Sequence, residues 1–229
     1  MYRNLRIVFL VFALATLASL PVFASTMAYT TLASFQAATA GLTTENFDGA
    51  TAPLVIPNGG SYGQLKFNYN INAGAGLLEI VNLFPTTSPP NYLGSDDPAT
   101  GAFFASDSLT ITLPHPVTAF GLYIVGNGGY PANTFTLNVG LGTAENSSTA
   151  DVVIDNEGDV AYFLGIASTS PFSSATIALT TPGGTSDGPL WNVDDVTWGA
   201  SRSAVPEPGA ILLVGTGLAA GARRLKKRA

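Results

Sequence analysis

Two acidic positions, far apart in this 229-residue sequence, carry the residue types that bind calcium. Asp194 and Asp195 are adjacent in the apolar segment 193–198, and Asp48 follows another such segment near residue 45. Calcium prefers six to eight oxygen ligands. Adjacent side chains of a strand point to opposite faces, so Asp194 and Asp195 could share an ion only where the strand bulges or ends. Two interpretations remain open: a Ca²⁺ site formed by Asp48, Asp194 and Asp195, or acidic side chains that are solvated or hydrogen-bonded.

Aromatic residues are candidates for a second kind of site, because a tyrosine ring offers a sugar an apolar face with a polar rim. Most aromatic side chains of an all-β domain pack in its core. Tyr92 and Tyr130 lie close to Pro and Gly in segments that we predict to be loops. We therefore predict that these two side chains are exposed and contact glycans.

The composition excludes several classes of catalytic site. The chain has no Cys and a single His, His115, between two prolines, so thiol nucleophiles, cysteine-bound zinc and sites with two imidazoles are excluded. We expect His115 to lie in an exposed turn. The carboxylates are dispersed and nothing in the sequence pairs them. We predict that the protein is not an enzyme; the alternative is a secreted glycan-acting hydrolase, which would need two carboxylates in one cleft.

The charges are strongly segregated along the chain. Residues 25–201 contain fourteen Asp or Glu against one base, Lys66, whereas most of the remaining Lys and Arg lie near the two ends. Such an acidic segment repels the phosphates of nucleic acids, so we predict no nucleic-acid partner.

The segments that must position these residues are mainly short strands. From residue 45 onward, runs of Val, Ile, Phe, Tyr and Thr are separated by Gly, Pro, Asn and Asp, which is typical of an antiparallel all-β domain. Apolar and polar residues alternate in 108–113, 134–139 and 175–179, as in half-buried strands. We predict strands at 45–48, 63–70, 77–83, 102–105, 108–113, 117–125, 133–139, 151–154, 160–166, 174–180 and 190–198.

These strands predict an antiparallel β-sandwich of jelly-roll type over residues 45–201, large enough to be stable without disulfides. Residues 25–44 form a lead-in. Within it, Leu32 and Phe35 have helical spacing, which predicts a short helix over 30–40 that Gly41 ends.

Residues 1–24 have the features of a signal peptide. Arg3 and Arg6 precede the uncharged apolar run 7–20, and small residues lead to a predicted cleavage site after Ala24. As a helix, this run is shorter than the roughly 30 Å hydrocarbon core of a bilayer, which favours a removable signal over a retained anchor.

Residues 202–229 combine three features in a fixed order. Pro206, Glu207 and Pro208 disfavour helix and predict an extended, accessible segment. The uncharged run 210–222 predicts a short transmembrane helix. The basic residues that follow it predict a cytoplasmic tail by the positive-inside tendency, and they are Arg223, Arg224, Lys226, Lys227 and Arg228.

This order of motif, apolar helix and basic tail resembles the PEP-CTERM sorting signal of Gram-negative bacteria. The resemblance covers Val205 to Ala229. It implies recognition by exosortase, a membrane-embedded transpeptidase-like enzyme, with removal of the tail and transfer of the protein to the cell surface. It also implies a host that makes exopolysaccharide and biofilm matrix.

The body is similar, over short segments only, to the domain that often precedes this signal. The similar segments are Glu45–Gly49, Phe120–Ile124, Phe163–Ile166 and Val193–Trp198. The resemblance implies a sandwich like that of carbohydrate-binding modules, with adjacent first and last strands and calcium beside them.

Together these observations predict an exported protein with a transient inner-membrane anchor that ends at the cell surface or outside the cell. The β-sandwich would have a structural or exopolysaccharide-binding role. A plain inner-membrane-anchored protein is the alternative.

Overall fold

The computed structural model describes residues 25–72, 74–155, 158–179 and 189–202. The predicted signal peptide, residues 1–24, and residues 203–229 of the predicted sorting signal lie outside the described residues. Within the described ranges, no helix has the length and apolar character needed to cross a membrane.

The described chain has one short helix and thirteen strands. Helix α1 spans Leu32–Ala38. The strands are β1 (Thr26–Tyr29), β2 (Thr39–Glu45), β3 (Leu54–Ile56), β4 (Ser61–Tyr62), β5 (Leu65–Asn70), β6 (Leu78–Val81), β7 (Tyr92–Ser95), β8 (Ser108–Asn127), β9 (Phe135–Asn138), β10 (Thr143–Glu145), β11 (Val152–Val153), β12 (Asp159–Leu179) and β13 (Asn192–Ser201).

The strands form one antiparallel network, which confirms the all-β prediction. Its main path runs β10-β9-β12-β8-β13-β7-β6-β3, with β1 and β11 on β12, β2 on β13, and β5 between β4 and β8. Because hydrogen bonds join all thirteen strands into one sheet, the jelly-roll sandwich stays a prediction.

Strands β8 and β12 are the longest elements, and each joins two segments that we predicted as separate strands. Residues 119–127 pair with 159–167, and residues 108–112 pair with 174–178, with register shifts between these two blocks. Prolines 114, 116 and 171 lie in this interval, where the ladder is already interrupted and a missing N–H is tolerated. His115 is exposed there, in a strand rather than a turn.

The predicted strand at 102–105 is wrong, because this segment makes only an isolated bridge between Phe103 and Trp191. Strands β1, β3, β4, β7 and β10 were not predicted, and β2 meets the predicted strand at 45–48 only at Glu45. The predicted helix is confirmed over a shorter range. It begins after Thr31, whose side chain accepts a hydrogen bond from the Ser34 amide, and ends where Thr39 is extended.

Two clusters of buried apolar side chains lie on opposite faces of the paired β8 and β12. In β8, Leu122 and Ile124 belong to the main core, whereas Tyr123 and Val125 belong to a second cluster. Helix α1 covers the second cluster with Phe35, whose ring centre lies 5.3 Å from that of Phe163. We call residues 119–127 of β8 and 159–167 of β12 the upper halves of these strands, and the segments before and after the register shifts their lower halves. The upper halves are therefore buried on both faces along most of their length.

A pair of glycines makes room for these rings. Gly121 and Gly165 face each other across β8 and β12. A Cβ added at Gly165 would lie 2.7 Å from Phe163 and 2.8 Å from Phe35. These two positions belong to the segments 120–124 and 163–166 that carried the resemblance of the body, so close packing explains why glycine stands there.

We expect Gly165→Ala to lower the free energy of unfolding by about 1–3 kcal/mol, because the added methyl group forces two packed rings apart. Urea unfolding measures the change. Gly129→Ala is the matched control, since its nearest contact would be the Tyr162 hydroxyl at 4.0 Å, and it should stay within about 0.5 kcal/mol of wild type. Equal stability of the two variants would contradict the packing role of Gly165.

Candidate functional site

Asp194 is a fully buried carboxylate that holds a loop against β13. Its oxygens accept hydrogen bonds from the hydroxyls of Thr86, Thr87 and Ser88 and from the Ser88 amide, at up to 3.1 Å. The Asp195 amide donates a further bond of 2.8 Å. These donors replace the water that the carboxylate loses on burial.

Burial is the main cause that raises the pKa of Asp194 to about 6, and the nearby Asp195 carboxylate adds to it. The hydrogen bonds from Thr86, Ser88 and Thr87 act in the opposite direction because they favour the charged form. The desolvation of the carboxylate therefore exceeds the effect of its donors.

The structure meets two conditions for the predicted calcium site but does not assemble that site. Strand β13 bulges after Asp194, with Asp195 at a φ of 49°. Strand β2 is adjacent, since Glu45 lies opposite Val196. Within the described residues, however, no three acidic or histidine side chains form a group that could hold a metal.

The partners of each carboxylate explain this result. Asp194 is occupied by hydroxyl donors, whereas Asp48 accepts hydrogen bonds from the Asn46 side chain at 2.7 Å and the Asn91 amide at 3.2 Å. Asp194 thus binds the middle of the loop that connects β6 to β7, and Asp48 binds the end of this loop at Asn91. This arrangement corresponds to the hydrogen-bonded alternative considered for these acids.

A cavity of about 530 Å³ lies where the ends of β8, β12 and β13 meet the β6–β7 loop. Asn127, Asp159 and Asn192 supply polar groups to its lining, and the Asn127 side chain donates to the Asp159 carboxylate at 3.0 Å. Phe84 and Tyr130 supply aromatic rings. Cavities of this size commonly hold small ligands.

Two buried oxygens without a hydrogen-bond partner lie at this cavity or directly behind its wall. Asn192 is 6% exposed, and its Oδ1 has no partner. The Tyr92 hydroxyl likewise has no partner. It lies beside Gly101, whose two neighbours in the chain, Thr100 and Ala102, line the cavity. Both oxygens are closed off from solvent, and leaving a buried acceptor unpaired costs about 1–3 kcal/mol.

The prediction that Tyr92 contacts glycans is wrong, because this side chain is completely buried in β7. Burial raises the pKa of the Tyr92 hydroxyl, and the opposite effect of the nearby Leu83 and Phe84 amides is smaller. These amides do not reach hydrogen-bonding geometry with the hydroxyl.

The predicted exposure of Tyr130 is also wrong, because this side chain is only 9% exposed; it does line the cavity, and its contact with a glycan stays a prediction. Its hydroxyl donates to the Leu190 carbonyl at 2.7 Å, and its amide donates to the Tyr162 hydroxyl at 2.7 Å. Tyr130 therefore forms a fixed wall of the cavity, not a mobile exposed ring.

Phe84 is the aromatic residue that the sequence analysis missed. It is 45% exposed at the cavity and lies two residues before Thr86, the first anchor of the loop on Asp194. The small polar residues and prolines of 85–90, following an apolar pair, are the signal that could have indicated a loop bearing an exposed ring. Asn192 gave no signal, since its role depends on distant neighbours.

We compare the free energy of unfolding of wild type with that of Asp194→Asn. The difference, wild type minus variant, should decrease by about 2 kcal/mol between pH 4.5 and pH 7.5. The folded Asp194 takes up its proton near pH 6, and the unfolded chain does so near 3.8. The raised pKa therefore favours folding at acid pH, and this contribution is lost as the pH rises through about 6. Urea unfolding of both proteins at both pH values measures the difference. A constant difference would contradict the raised pKa.

Comparison with known proteins identifies the segment beyond the described residues. Residues 204–228 match the family model of the PEP-CTERM protein-sorting motif. No curated protein and no solved structure matches the chain. The match contains Pro206, Glu207 and Pro208 and the predicted basic tail, and thus confirms the resemblance stated for this region. The chain therefore carries a PEP-CTERM sorting signal, the mark of an exported protein that exosortase processes at the membrane for secretion or cell-surface display.

Proposed function

We propose that this exported protein binds exopolysaccharide through its β domain and serves as a non-catalytic component of the cell surface or biofilm matrix. The single observation that carries the proposal is the cavity of about 530 Å³, whose lining combines the polar side chains of Asn127, Asp159 and Asn192 with the half-exposed ring of Phe84. A sugar has hydroxyl donors for the first and an apolar C–H face for the second.

The way the ring is held supports this proposal. The loop that carries Phe84 is anchored on Asp194 by the side chains of residues 86–88 and near Asp48 by Asn91. The Asn91 side chain also donates to the carbonyls of Phe47 and Ala50 at 3.1 and 3.0 Å. A ring positioned in advance loses less entropy when a ligand stacks on it.

The distribution of carboxylates favours binding over hydrolysis. Glycoside hydrolysis uses two carboxyl groups about 5–9.5 Å apart. Among the described residues that line the cavity, Asp159 supplies the one carboxylate. Asp194, a carboxylate with a markedly raised pKa, is fully buried and bound by loop hydroxyls.

We also propose the route by which the protein reaches the surface. A precursor held in the inner membrane by the apolar run 210–222, with its basic tail in the cytoplasm, presents the Pro206–Pro208 segment to exosortase. The β domain then lies on the outer side of the inner membrane, and removal of the tail releases it from the anchor.

Phe84→Ala should weaken binding to exopolysaccharide purified from the host by about tenfold, because stacking on an aromatic ring contributes roughly 1 kcal/mol or more. Isothermal titration calorimetry with the full chain in mild detergent measures the affinity. Met27→Ala is the control. Met27 is also exposed, but it lies on β1 opposite Ala167, at the end of the paired segment 159–167 that is remote from the cavity. Unchanged binding in Phe84→Ala, or no binding by wild type, would overturn the proposed site.

Simultaneous replacement of Pro206, Glu207 and Pro208 by Ala should block processing. The intact mass of wild type from the extracellular fraction should show loss of residues 1–24 and a cut near 206–208, whereas the triple variant should retain 210–229 in the membrane fraction. Asn146→Ala, a change inside the β domain, is the control for a general folding defect. The exported protein of this variant should still have its tail removed at the same position. A wild-type mass that retains 210–229 in every fraction would instead indicate a permanent membrane anchor.

A further inference from the structure

The first and last described residues lie at the same end of the β domain. Ser25 exchanges hydrogen bonds with Thr169, in the interval where β12 changes register. Ser201 donates its hydroxyl hydrogen to the carbonyl of the preceding residue, Ser168, at 2.8 Å. The predicted signal peptide and the sorting signal are therefore joined to the domain at neighbouring positions.

The last anchored residue is close along the chain to the apolar run of the sorting signal. Arg202 donates its amide hydrogen to the Ala38 carbonyl at 2.9 Å and its Nε hydrogen to the Thr39 carbonyl at 2.8 Å. The seven residues 203–209 separate it from the run 210–222, and they can span at most about 25 Å. Strand β13 alone is roughly 30 Å long. In the proposed precursor, the domain therefore cannot point the cavity end of β13 at the bilayer.

The surface around these anchors, which we call the exit end, has no acidic residue. A groove of about 400 Å³ brings residues 115–118 of β8 beside the start of β2 and the end of β13. A Cβ added at Gly142 would lie 2.5 Å from the Thr26 hydroxyl oxygen, so the turn between β9 and β10 belongs to the same end. The fourteen Asp and Glu of residues 25–201 all lie outside the exit end, which consists of 25–28, 38–43, 115–118, 140–142, 167–171 and 199–202.

The exit end combines exposed apolar side chains with a base. Met27 is 61% exposed on β1, and Leu141 is 40% exposed in the turn between β9 and β10. Arg202 is exposed and uses its Nε for the Thr39 carbonyl, so its guanidinium carries further donors for another acceptor. Apolar groups beside a base suit the interface of a phospholipid bilayer, where the base contacts phosphates and the apolar groups reach the acyl boundary.

The rest of the domain is not suited to such a surface. Residues 25–201 carry fourteen acids against one base. Anionic phospholipids give a bilayer a negative surface potential, which repels acidic groups within about a Debye length. An end without acids is the part of this domain that can approach an anionic bilayer closely. The distribution of charge thus favours the same end as the short connection to 210–222.

We propose that the exit end docks on the phospholipid headgroups of the outer face of the inner membrane before the tail is removed. Leu141 and Met27 enter the interface, and Arg202 contacts lipid phosphates. This inference rests on the proposed route, in which the run 210–222 holds the precursor in the membrane. It adds the orientation of the β domain, with the cavity directed away from the bilayer.

The chain has no Cys, so a single probe can be attached at a chosen site. Leu141→Cys and Met27→Cys, each labelled with bimane in the full chain, are reconstituted into vesicles of phosphatidylethanolamine and phosphatidylglycerol whose acyl chains carry a nitroxide quencher. We expect each label to lose at least about half of its fluorescence, because groups docked at the interface lie about 5–10 Å deep.

Val153→Cys is the matched control for position. Val153 is an apolar residue that is 72% exposed, and it lies on β11 opposite Val160, next to the cavity end of β12. Its label should lose less than about a tenth of its fluorescence, because this end is remote from the bilayer.

A second pair of variants tests the role of charge. His115→Glu places an acid at an exposed position of the exit end and should reduce quenching of the label at position 141 at least about twofold. Ser148→Glu adds the same acid in the exposed loop between β10 and β11 and should leave this quenching unchanged. Equal quenching in the two variants would overturn the charge argument for the exit end.

A carbonate wash of the same vesicles tests the anchor separately. Release of the chain by carbonate would overturn the proposed route, and this inference with it. A chain that resists carbonate but shows no quenching at positions 141 and 27, or equal quenching at 153, would overturn docking of the exit end and leave the route intact. Quenching that requires exosortase in the vesicles would overturn the assignment to lipid and identify the enzyme as the partner.

Discussion

The pairing of β8 with β12 is the constraint on which the rest of the structure depends. These two strands pair with each other in both blocks of register, and six of the other ten described strands hydrogen-bond to one of them or to β13, which itself pairs with β8. In the upper block both faces are buried, one by the main core and one by the cluster under α1. In the lower block, Thr110 and Thr176 bond to each other on the outer face. The change of register lets one pair of strands serve two different environments.

The second constraint is the buried charge of Asp194, which fixes the loop between β6 and β7. An isolated buried carboxylate is very costly, so the loop must supply hydroxyl and amide donors whenever the acid is ionised. Residues 86–88 supply them. Because Phe84 is only two residues from the first of these anchors, the chemistry that stabilises Asp194 also places an aromatic ring at the cavity. The stability of the fold and the shape of the site are linked through this loop.

The sequence predicts those features that depend on local patterns. Alternation in 108–113 and 175–179 correctly gives the core faces of two strands, and the spacing of Leu32 and Phe35 gives the short helix. The sorting motif is likewise local, and its order of elements suffices to identify it. Because of the prolines in the middle of β8 and β12, each of these strands was predicted as two. The sequence pattern does not show that the hydrogen-bonded ladder continues beyond the interruption.

The site depends on contacts between distant residues, which the sequence does not show. Asp194 resembles a metal ligand until the hydroxyl donors more than a hundred positions away are known. Tyr92 resembles a loop residue because Pro and Gly surround it, but pairing with β6 buries it. Asn192 lines the cavity only because the start of β13 lies beside the ends of β8 and β12 in the folded chain.

The positions of the ends of the domain relate the cavity to the sorting signal. Ser25 donates its amide hydrogen to Thr169, and Ser201 donates its hydroxyl hydrogen to the Ser168 carbonyl, so both ends of the described chain lie at the same place on β12. Asn192 and Ser201 are at opposite ends of β13, whose ten residues at about 3.3 Å each separate the cavity from Ser201 by roughly 30 Å. Residue 202, after which the sorting segment follows in the chain, therefore lies at the end of the domain remote from the cavity. The site proposed for a glycan and the point where the tail leaves the described domain are separate parts of the molecule.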